Sequence, residues 1–218
     1  MIRPFGINEF LFILFAVQWT LALSAVAFTG GALGGLMIAL ARVSTVAPLR
    51  YAALGFIRLF QGTPLLMQLF LVFFGLNIFG VGINPWLAAA IALTLHASAF
   101  LGEIWRGCIQ AVPSGQTEAS WALGLRYFDR MKSVVLPQAA RIAVAPTVGF
   151  LVQLIKGTSL ASIIGFVEMT RAGQIINNAT FDPFTVFGIV AALYFILCWP
   201  LSIFARRMER RFAVATRR

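Results

Sequence analysis

The sequence predicts an all-α, polytopic membrane protein, because its apolar residues form runs long enough to cross a bilayer. The 218 residues have a mean hydropathy of +0.90, and 11% are charged, whereas soluble domains average roughly 25%. No Asp, Glu, Lys or Arg occurs in residues 10–41, 59–102 or 183–205. Since a membrane-spanning helix needs ~20 mostly apolar residues, the whole chain, 1–218, is expected to form one transmembrane domain.

About five spans follow from these runs and from the breaks between them. They cover about 12–41, 51–79, 86–110, 138–155 and 184–205. Arg42 and Pro48 end the first span, the turn 80–85 separates the second from the third, and 112–115 ends the third. The first run is too long for the apolar core of a signal peptide, so we expect it to remain as a helix.

The basic residues predict the orientation of the chain in the membrane. With the C-terminus in the cytoplasm and the N-terminus outside, 14 of the 17 lysines and arginines fall on the cytoplasmic side. Cytoplasmic loops carry such an excess of basic residues. The net charge of +10 is therefore a topology signal, and we expect no nucleic-acid partner.

One polar, helix-prone segment, residues 113–137, lies between the third and fourth spans. Ser114 is placed to cap a helix, Glu118 lies near its start, and Gly124 interrupts it before Pro137 opens the next span. We therefore predict two short helices joined at Gly124 on the cytoplasmic side. Composition alone equally favours an amphipathic helix lying on the inner membrane surface.

The spacing of residues in this polar segment resembles a known motif. Glu118-Ala119-Ser120, Gly124, Val134 and Leu136-Pro137 resemble the EAA loop of ABC importer permeases, with Ser120 and Val134 as conservative departures. Three further blocks resemble the polar amino-acid branch of that family: 62–66, 106–116 and 156–160. Two residues depart from its pattern, Gln61 where Arg is usual and Gly157 where Asp is usual.

The resemblance implies a permease subunit of a bacterial inner-membrane importer for a small polar amino acid, working by alternating access. Its EAA loop would dock on a separate ATPase subunit, with the coupling residues Glu118, Ala119, Ser120, Gly124, Leu136 and Pro137. The further partners implied are a second copy or sister permease and an extracytoplasmic substrate-binding protein. The phosphate-binding pattern G-x-x-x-x-G-K-[ST] is absent, so this chain is expected to bind no cofactor, and ATP is used by the partner.

Polar residues within the spans are candidates for the substrate path. Gln68 and His96 lie in the middle of spans two and three, and Glu103 shares a helical stripe with His96. Two structural alternatives remain open here. His96 would form a helix–helix hydrogen bond, and Glu103 would form an intrahelical ion pair with Arg106.

The fourth span is predicted to break at Gly157, after Lys156. Thr158 and Ser159 would then cap a short helix over 160–169, whose N-terminus is suited to hold a substrate carboxylate. Alternatively, Lys156 extends its amine to the outer interface. Glu168 and Arg171 are predicted at the outer face, as gate or receptor-docking residues.

Two other classes of function are weighed against the importer. A secondary, ion-coupled amino-acid transporter would act without an ATPase, but the chain shows neither an internal repeat nor a chain of carboxylates for proton transfer. An intramembrane enzyme would need paired catalytic or metal-ligating side chains, and the spacing of residues predicts no metal site. The glycine stripe Gly30, Gly31, Gly34 and Gly35 suits either internal packing or subunit pairing.

Overall fold

Helices make up nearly all of the chain, as the long apolar runs predict. The computed structural model describes residues 4–216, so Arg3 and the final pair of arginines, all counted in the charge argument, lie outside the described residues. In these residues we number eight helices: α1 Ile7–Val43, α2 Ala47–Gln61, α3 Leu65–Ile78, α4 Pro85–Gln110, α5 Ser114–Ala122, α6 Tyr127–Ile164, α7 Met169–Thr180 and α8 Pro183–Thr216.

Helices α1, α4, α6 and α8 are long and apolar enough to cross a membrane, and α2 with α3 passes the same test as a bent pair, which gives up to five spans. The prediction of about five spans is confirmed in this sense. The second span, however, is not one continuous helix, because α2 and α3 meet at 101° around Thr63 and Pro64. Proline disfavours helical conformation in the residue before it, which accounts for the break.

The fourth span begins earlier than the predicted start at 138. Helix α6 runs from Tyr127 through a π-helical turn at Met131–Val135 and past Pro137. A π turn shifts the backbone hydrogen-bond register, and here the helix continues from this turn through Pro137. Pro137 therefore lies within the span instead of opening it. The polar segment therefore contains α5, a turn and the first part of a span, rather than two short helices.

The glycine stripe of α1 packs against α4, which settles its use as internal packing. A Cβ added to Gly31 would lie 2.3 Å from Cβ of Ala97, and one added to Gly34 would lie 2.3 Å from Oγ of Ser98. The contacts advance along both helices in the same direction, so α1 and α4 run parallel. Close backbone approach through small residues is how membrane helices gain packing energy.

Two buried clusters hold the bundle together. One joins α1, α3, α4 and α6, and includes Leu23, Leu69, Leu93, Phe150 and Leu154. The other joins α1, α7 and α8 through Ile13, Met169 and Val186. The first cluster fixes the middle of the bent span against α4 and α6, where several predicted substrate-path residues lie.

Candidate functional site

The polar segment forms an exposed turn at one end of the bundle. Pro113 precedes α5 as its N-cap, so the prediction that Ser114 caps the helix is wrong and Ser114 is its first residue. Gly124 has a φ of +75°, the left-handed conformation that glycine adopts most readily. A turn at this residue separates α5 from α6, as the predicted glycine bend required.

The predicted coupling residues divide into an outward and an inward group. Glu118 and Ala119 are exposed on α5, and Glu118 has no hydrogen-bond partner among the described residues. Ser120 is buried, and its hydroxyl donates to the carbonyl of Thr117 at 2.7 Å. Pro137 is exposed on α6, whereas Leu136 is half-buried. A docking partner would therefore meet Glu118, Ala119 and Pro137 rather than Ser120.

Large apolar side chains are also exposed around this turn. Trp121 is 69% exposed, Leu123 80% and Phe128 72%. Their exposure matters because the segment is otherwise polar and because contiguous apolar surface marks a site for a partner. The EAA pattern did not single out these three residues, although their apolar character within a polar stretch was a readable signal.

A second set of predicted residues meets in the middle of the bundle. The Gln68 amide nitrogen donates to the carbonyl of Phe60 at 2.7 Å, and to the carbonyl and hydroxyl oxygens of Thr63 at 3.0 Å each. Its amide oxygen lies 3.1 Å from Nδ1 of His96 on α4. Gln68 thus links both sides of the α2–α3 break to the third span.

Aromatic rings surround His96 on its own helix and on α6. Its ring centroid lies 4.5 Å from that of Phe100 and 6.5 Å from that of Phe150. The helix–helix hydrogen bond left open for His96 is therefore present. Sequence reasoning found Gln68 and His96, but it did not find the α2–α3 break next to Gln68. Gly62 and Pro64, which interrupt an apolar run, were the signal for that break.

Glu103 and Arg106 form the intrahelical ion pair that was the alternative to a path role. Nε of Arg106 donates to Oε2 of Glu103 at 2.8 Å, and Nη2 lies 2.5 Å from Oε1. Arg106 also donates to Gln110. Because both carboxylate oxygens are engaged, Glu103 is committed to its own helix and is not paired with Gln68 or His96.

The predicted break at Gly157 is wrong. Gly157 has helical angles, and the chain continues without interruption into a 3₁₀ segment at Thr158–Ile164. Thr158 and Ser159 donate to the carbonyls of Ile155 and Lys156 instead of capping a new helix. Hydroxyl groups that bond back to carbonyls three residues earlier are compatible with a continuing helix. The chain therefore has no helix N-terminus at Thr158 that could hold a substrate carboxylate.

Thr158 is fully buried, so it presents no surface to a substrate in this structure. Lys156, in contrast, is exposed, and its side-chain amine has no hydrogen-bond partner among the described residues. Gly157 allows a close approach of α3, because a Cβ there would lie 3.1 Å from Cδ2 of Leu65. Gly157 thus lies beside the bent span.

The next helix begins at Glu168, which lies inside the bundle rather than at its outer face. Its carboxylate accepts hydrogen bonds from the backbone N–H groups of Thr170 and Arg171 at 2.8 Å, and from the Tyr194 hydroxyl at 2.9 Å. Burial raises the pKa of Glu168 above its usual value, and these hydrogen bonds oppose the rise.

The position of Glu168 does not support receptor docking, because the residue is 0% exposed. Its contacts make it the N-cap of α7, tied to α8 through Tyr194. Arg171 is half-buried and donates to the side chain of Gln174 at 3.1 Å. A gate role for Glu168 and Arg171 stays a prediction. Tyr194 was missed, since a tyrosine in an apolar span gave no sign of a buried carboxylate beside it.

An apolar groove of about 620 Å³ lies apart from all of these contacts, between α1, α4 and α6. Its lining includes Leu33, Leu36, Trp105 and Ala143. The only hydroxyl on it, that of Thr147, accepts a hydrogen bond from Trp105 at 2.8 Å. A zwitterionic substrate would find no polar partner there, so this groove is not the substrate site.

The described residues form a helical bundle of up to five spans with an exposed polar segment between α4 and α6, an architecture suited to a membrane permease subunit. The chain belongs to the family described as "Binding-protein-dependent transport system inner membrane component", whose model matches residues 31–214. It is thus a multi-pass inner-membrane permease subunit of an ABC importer and not an enzyme, since the ATPase of these importers is a separate subunit.

Two curated relatives are similar over most of their length. The chain is 35% identical over 208 residues to the probable amino-acid ABC transporter permease protein YckA of Bacillus subtilis (strain 168), covering 95% of this chain and 92% of YckA. It is 38% identical over 196 residues to the L-cystine transport system permease protein TcyB of the same organism, covering 89% and 84%.

A solved structure is similar in both fold and sequence. It is the crystal structure of an amino acid ABC transporter with histidines, with a TM-score of 0.87 and 36% identity. The match covers 92% of this chain and 94% of that one. Permease subunits of this family bind no cofactor themselves, and the family implies an ATPase and a substrate-binding protein as partners.

Proposed function

We propose that this chain carries a small polar amino acid into the cytoplasm by alternating access, driven by ATP hydrolysed on ATPase subunits docked to the polar segment. The chain would pair with a second copy or a sister permease and receive its substrate from an extracytoplasmic binding protein. The amino-acid transporters named among its relatives support this substrate class. The proposed orientation places the polar segment and the C-terminus in the cytoplasm, following the distribution of basic residues.

The observation that carries the proposal is the exposed apolar surface of the polar segment. Trp121, Leu123 and Phe128 lie around the turn at Gly124 and are mostly exposed. Interfaces typically draw most of their binding energy from a few large apolar or aromatic side chains that enter pockets on the partner. Glu118, exposed beside them, is free to pair with a cation on the ATPase.

We place the substrate path beside the α2–α3 break. There buried Gln68 is hydrogen-bonded to the half-buried ring of His96 in the middle of otherwise apolar spans, where polar groups are costly and usually functional. Lys156 is exposed and stays a candidate for the path, as its sequence position suggested. An amino acid carries both charges, so a path bordered by an amide and an imidazole offers both donors and acceptors.

The test is co-purification of an ATPase with the native chain and with a Leu123→Glu variant. Leu123 is 80% exposed, so the substitution leaves the fold intact but places a charge in the docking surface. Loss of such a contact typically costs ~2 kcal/mol or more, about thirtyfold in affinity. Phe79→Glu is the matched control, because Phe79 is 85% exposed in the turn that joins the second and third spans.

Recovery of the ATPase with the native chain and with Phe79→Glu, but not with Leu123→Glu, is the expected result. Equal recovery with both variants would show that the ATPase docks elsewhere. If no ATPase is recovered with the native chain and that chain alone accumulates amino acid in liposomes under an ion gradient, the importer mechanism is wrong for this protein. A secondary transporter would then be the function.

A further inference from the structure

Arg130 lies between two aromatic rings on the inner side of the polar segment. Its Cζ is 5.4 Å from the ring centroid of Trp121 and 5.5 Å from that of Tyr127. A guanidinium within about 6 Å of an aromatic ring is attracted to the face of the ring. We call these three residues the Arg130 stack.

The Arg130 stack is unusual because its arginine is buried although the two aromatic residues beside it are exposed. Arg130 is 8% exposed, while Trp121 and Tyr127 are 69% and 44% exposed. Arg130 forms no ion pair with a carboxylate among the described residues, and its Nη1 has no hydrogen-bond partner there. The two ring contacts are therefore the electrostatic interactions found for the guanidinium among the described residues.

The stack joins the two sides of the Gly124 turn. Trp121 is on α5, before the turn, whereas Tyr127 and Arg130 are in the first turn of α6, after it. The turn itself is closed by backbone hydrogen bonds from Gly124 to Trp121 and from Leu125 to Ser120. A glycine has a wide range of backbone angles, so without side-chain contacts across it the turn would be free to bend.

Tyr127 also connects the stack to the first span. Its hydroxyl donates to the carbonyl of Val43, the last residue of α1, at 3.2 Å. A continuous series of contacts thus runs from α5 through Trp121, Arg130 and Tyr127 to α1. Helix α1 in turn packs along α4 through its glycine stripe.

We propose that Arg130 is a positioning residue that stiffens the Gly124 turn, so that movement of the docked α5 moves α1 and α6 instead of bending the turn. This inference rests on the proposed function, because it takes α5 as the element that the ATPase moves. Arg130 need not touch the ATPase for this role, and its burial keeps it away from a docked partner.

The stiffening is tested without any partner, by measuring distances between spin labels on α5 and α6. Labels on Glu118→Cys and Arg141→Cys are both at exposed positions, and the native cysteines, Cys108 and Cys198, are buried. Arg130→Lys keeps the charge but loses the planar group that stacks on both rings. The distance distribution should broaden in that background.

Arg126→Lys is the matched control for the distance measurement. It makes the same chemical change at an exposed arginine in the same segment, which contacts neither ring of the stack. This control should keep the native distribution of distances. A native distribution in Arg130→Lys as well would overturn the proposal.

The effect on transport is tested in liposomes that contain the chain, its ATPase and the binding protein. Arg130→Lys should retain the ATPase but import at least about fivefold less amino acid per ATP hydrolysed, the lower end of typical coupling between sites. Tyr127→Phe, which keeps the stack and removes only the hydrogen bond to Val43, should show a smaller loss. Arg126→Lys should match the native chain.

Two results would contradict the role of Arg130 in transport. If Arg130→Lys imports as much per ATP as Arg126→Lys, the stack does not transmit movement. If Arg130→Lys no longer retains the ATPase, Arg130 belongs to the docking surface instead. Failure of the native chain to retain any ATPase would refute the proposed function, and the distance measurement alone would then decide whether the stack stiffens the turn.

Discussion

The parallel packing of α1 on α4 predicts a large and specific cost for adding one methyl group at Gly31. The new Cβ would lie 2.3 Å from Cβ of Ala97 and 3.3 Å from its backbone. Carbon atoms in contact prefer roughly 3.5–4.0 Å, so the helices must separate locally by more than about 1 Å. Gly34, one turn along, is equally close to Ser98, which leaves no room for a small adjustment.

We expect Gly31→Ala to lower the free energy of unfolding by about 1–3 kcal/mol relative to Gly55→Ala, the range for overpacked cores. Gly55 is the control because it lies within α2 with no atom within 4 Å of a new Cβ. There the same change should stabilise by roughly 0.5–1 kcal/mol through helix propensity. Both changes carry that propensity gain, so their difference isolates the steric cost.

Unfolding of the purified chain in mixed micelles, followed by tryptophan fluorescence over a denaturing-detergent titration, measures both variants. The double variant Gly31→Ala/Ala97→Gly moves the methyl group from one helix to the other and should recover most of the loss. If Gly31→Ala is no less stable than Gly55→Ala, or if Ala97→Gly gives no recovery, the packing described here is wrong.

Two further predictions concern the buried polar contacts. Gln68→Leu should impair uptake, because it removes the hydrogen bonds that join the two sides of the α2–α3 break. Loss of each part-buried hydrogen bond costs about 0.5–1.5 kcal/mol. Normal uptake by cells, with the same amount of chain in the membrane, would contradict the path placed there. Glu168→Ala should lower the free energy of unfolding by about 1–2 kcal/mol, because the N-cap of α7 is lost. If the variant unfolds at the same detergent concentration as the native chain, the cap does not stabilise the fold.

The number of spans was predictable from the sequence, because hydropathy runs report directly on a bilayer-sized helix. The bent second span was not predicted, although Gly62 and Pro64 marked the position. An apolar run indicates that a segment lies in the membrane. Whether that segment is straight or bent depends on its contacts with other helices. The hydrogen bonds of Gln68 across the break are such contacts.

The polar residues were easier to find than to interpret. Glu103 does pair with Arg106 on its own helix, as the simpler alternative stated. Thr158 and Ser159 were predicted as caps because those residue types begin helices, yet here their hydroxyls bond back to carbonyls within a continuing helix. The same hydroxyl serves either purpose, and only the backbone decides between them.

Long-range contacts account for what sequence reasoning missed in the polar segment. The EAA spacing identified Gly124, and the structure has a turn with a positive φ at that residue. It did not predict that Arg130 would be buried between Trp121 and Tyr127, or that Tyr127 would reach Val43, 84 residues earlier in the chain. Charge alone favoured an exposed, solvated Arg130.

The central claim is that transport by this chain requires ATP hydrolysis on a docked partner. The most direct measurement is uptake of labelled polar amino acids into liposomes that contain the chain with its ATPase, with the binding protein supplied outside. We predict uptake with enclosed ATP, none with a non-hydrolysable analogue, and none with the chain alone under a proton or sodium gradient. Uptake by the chain alone under an ion gradient would contradict the account.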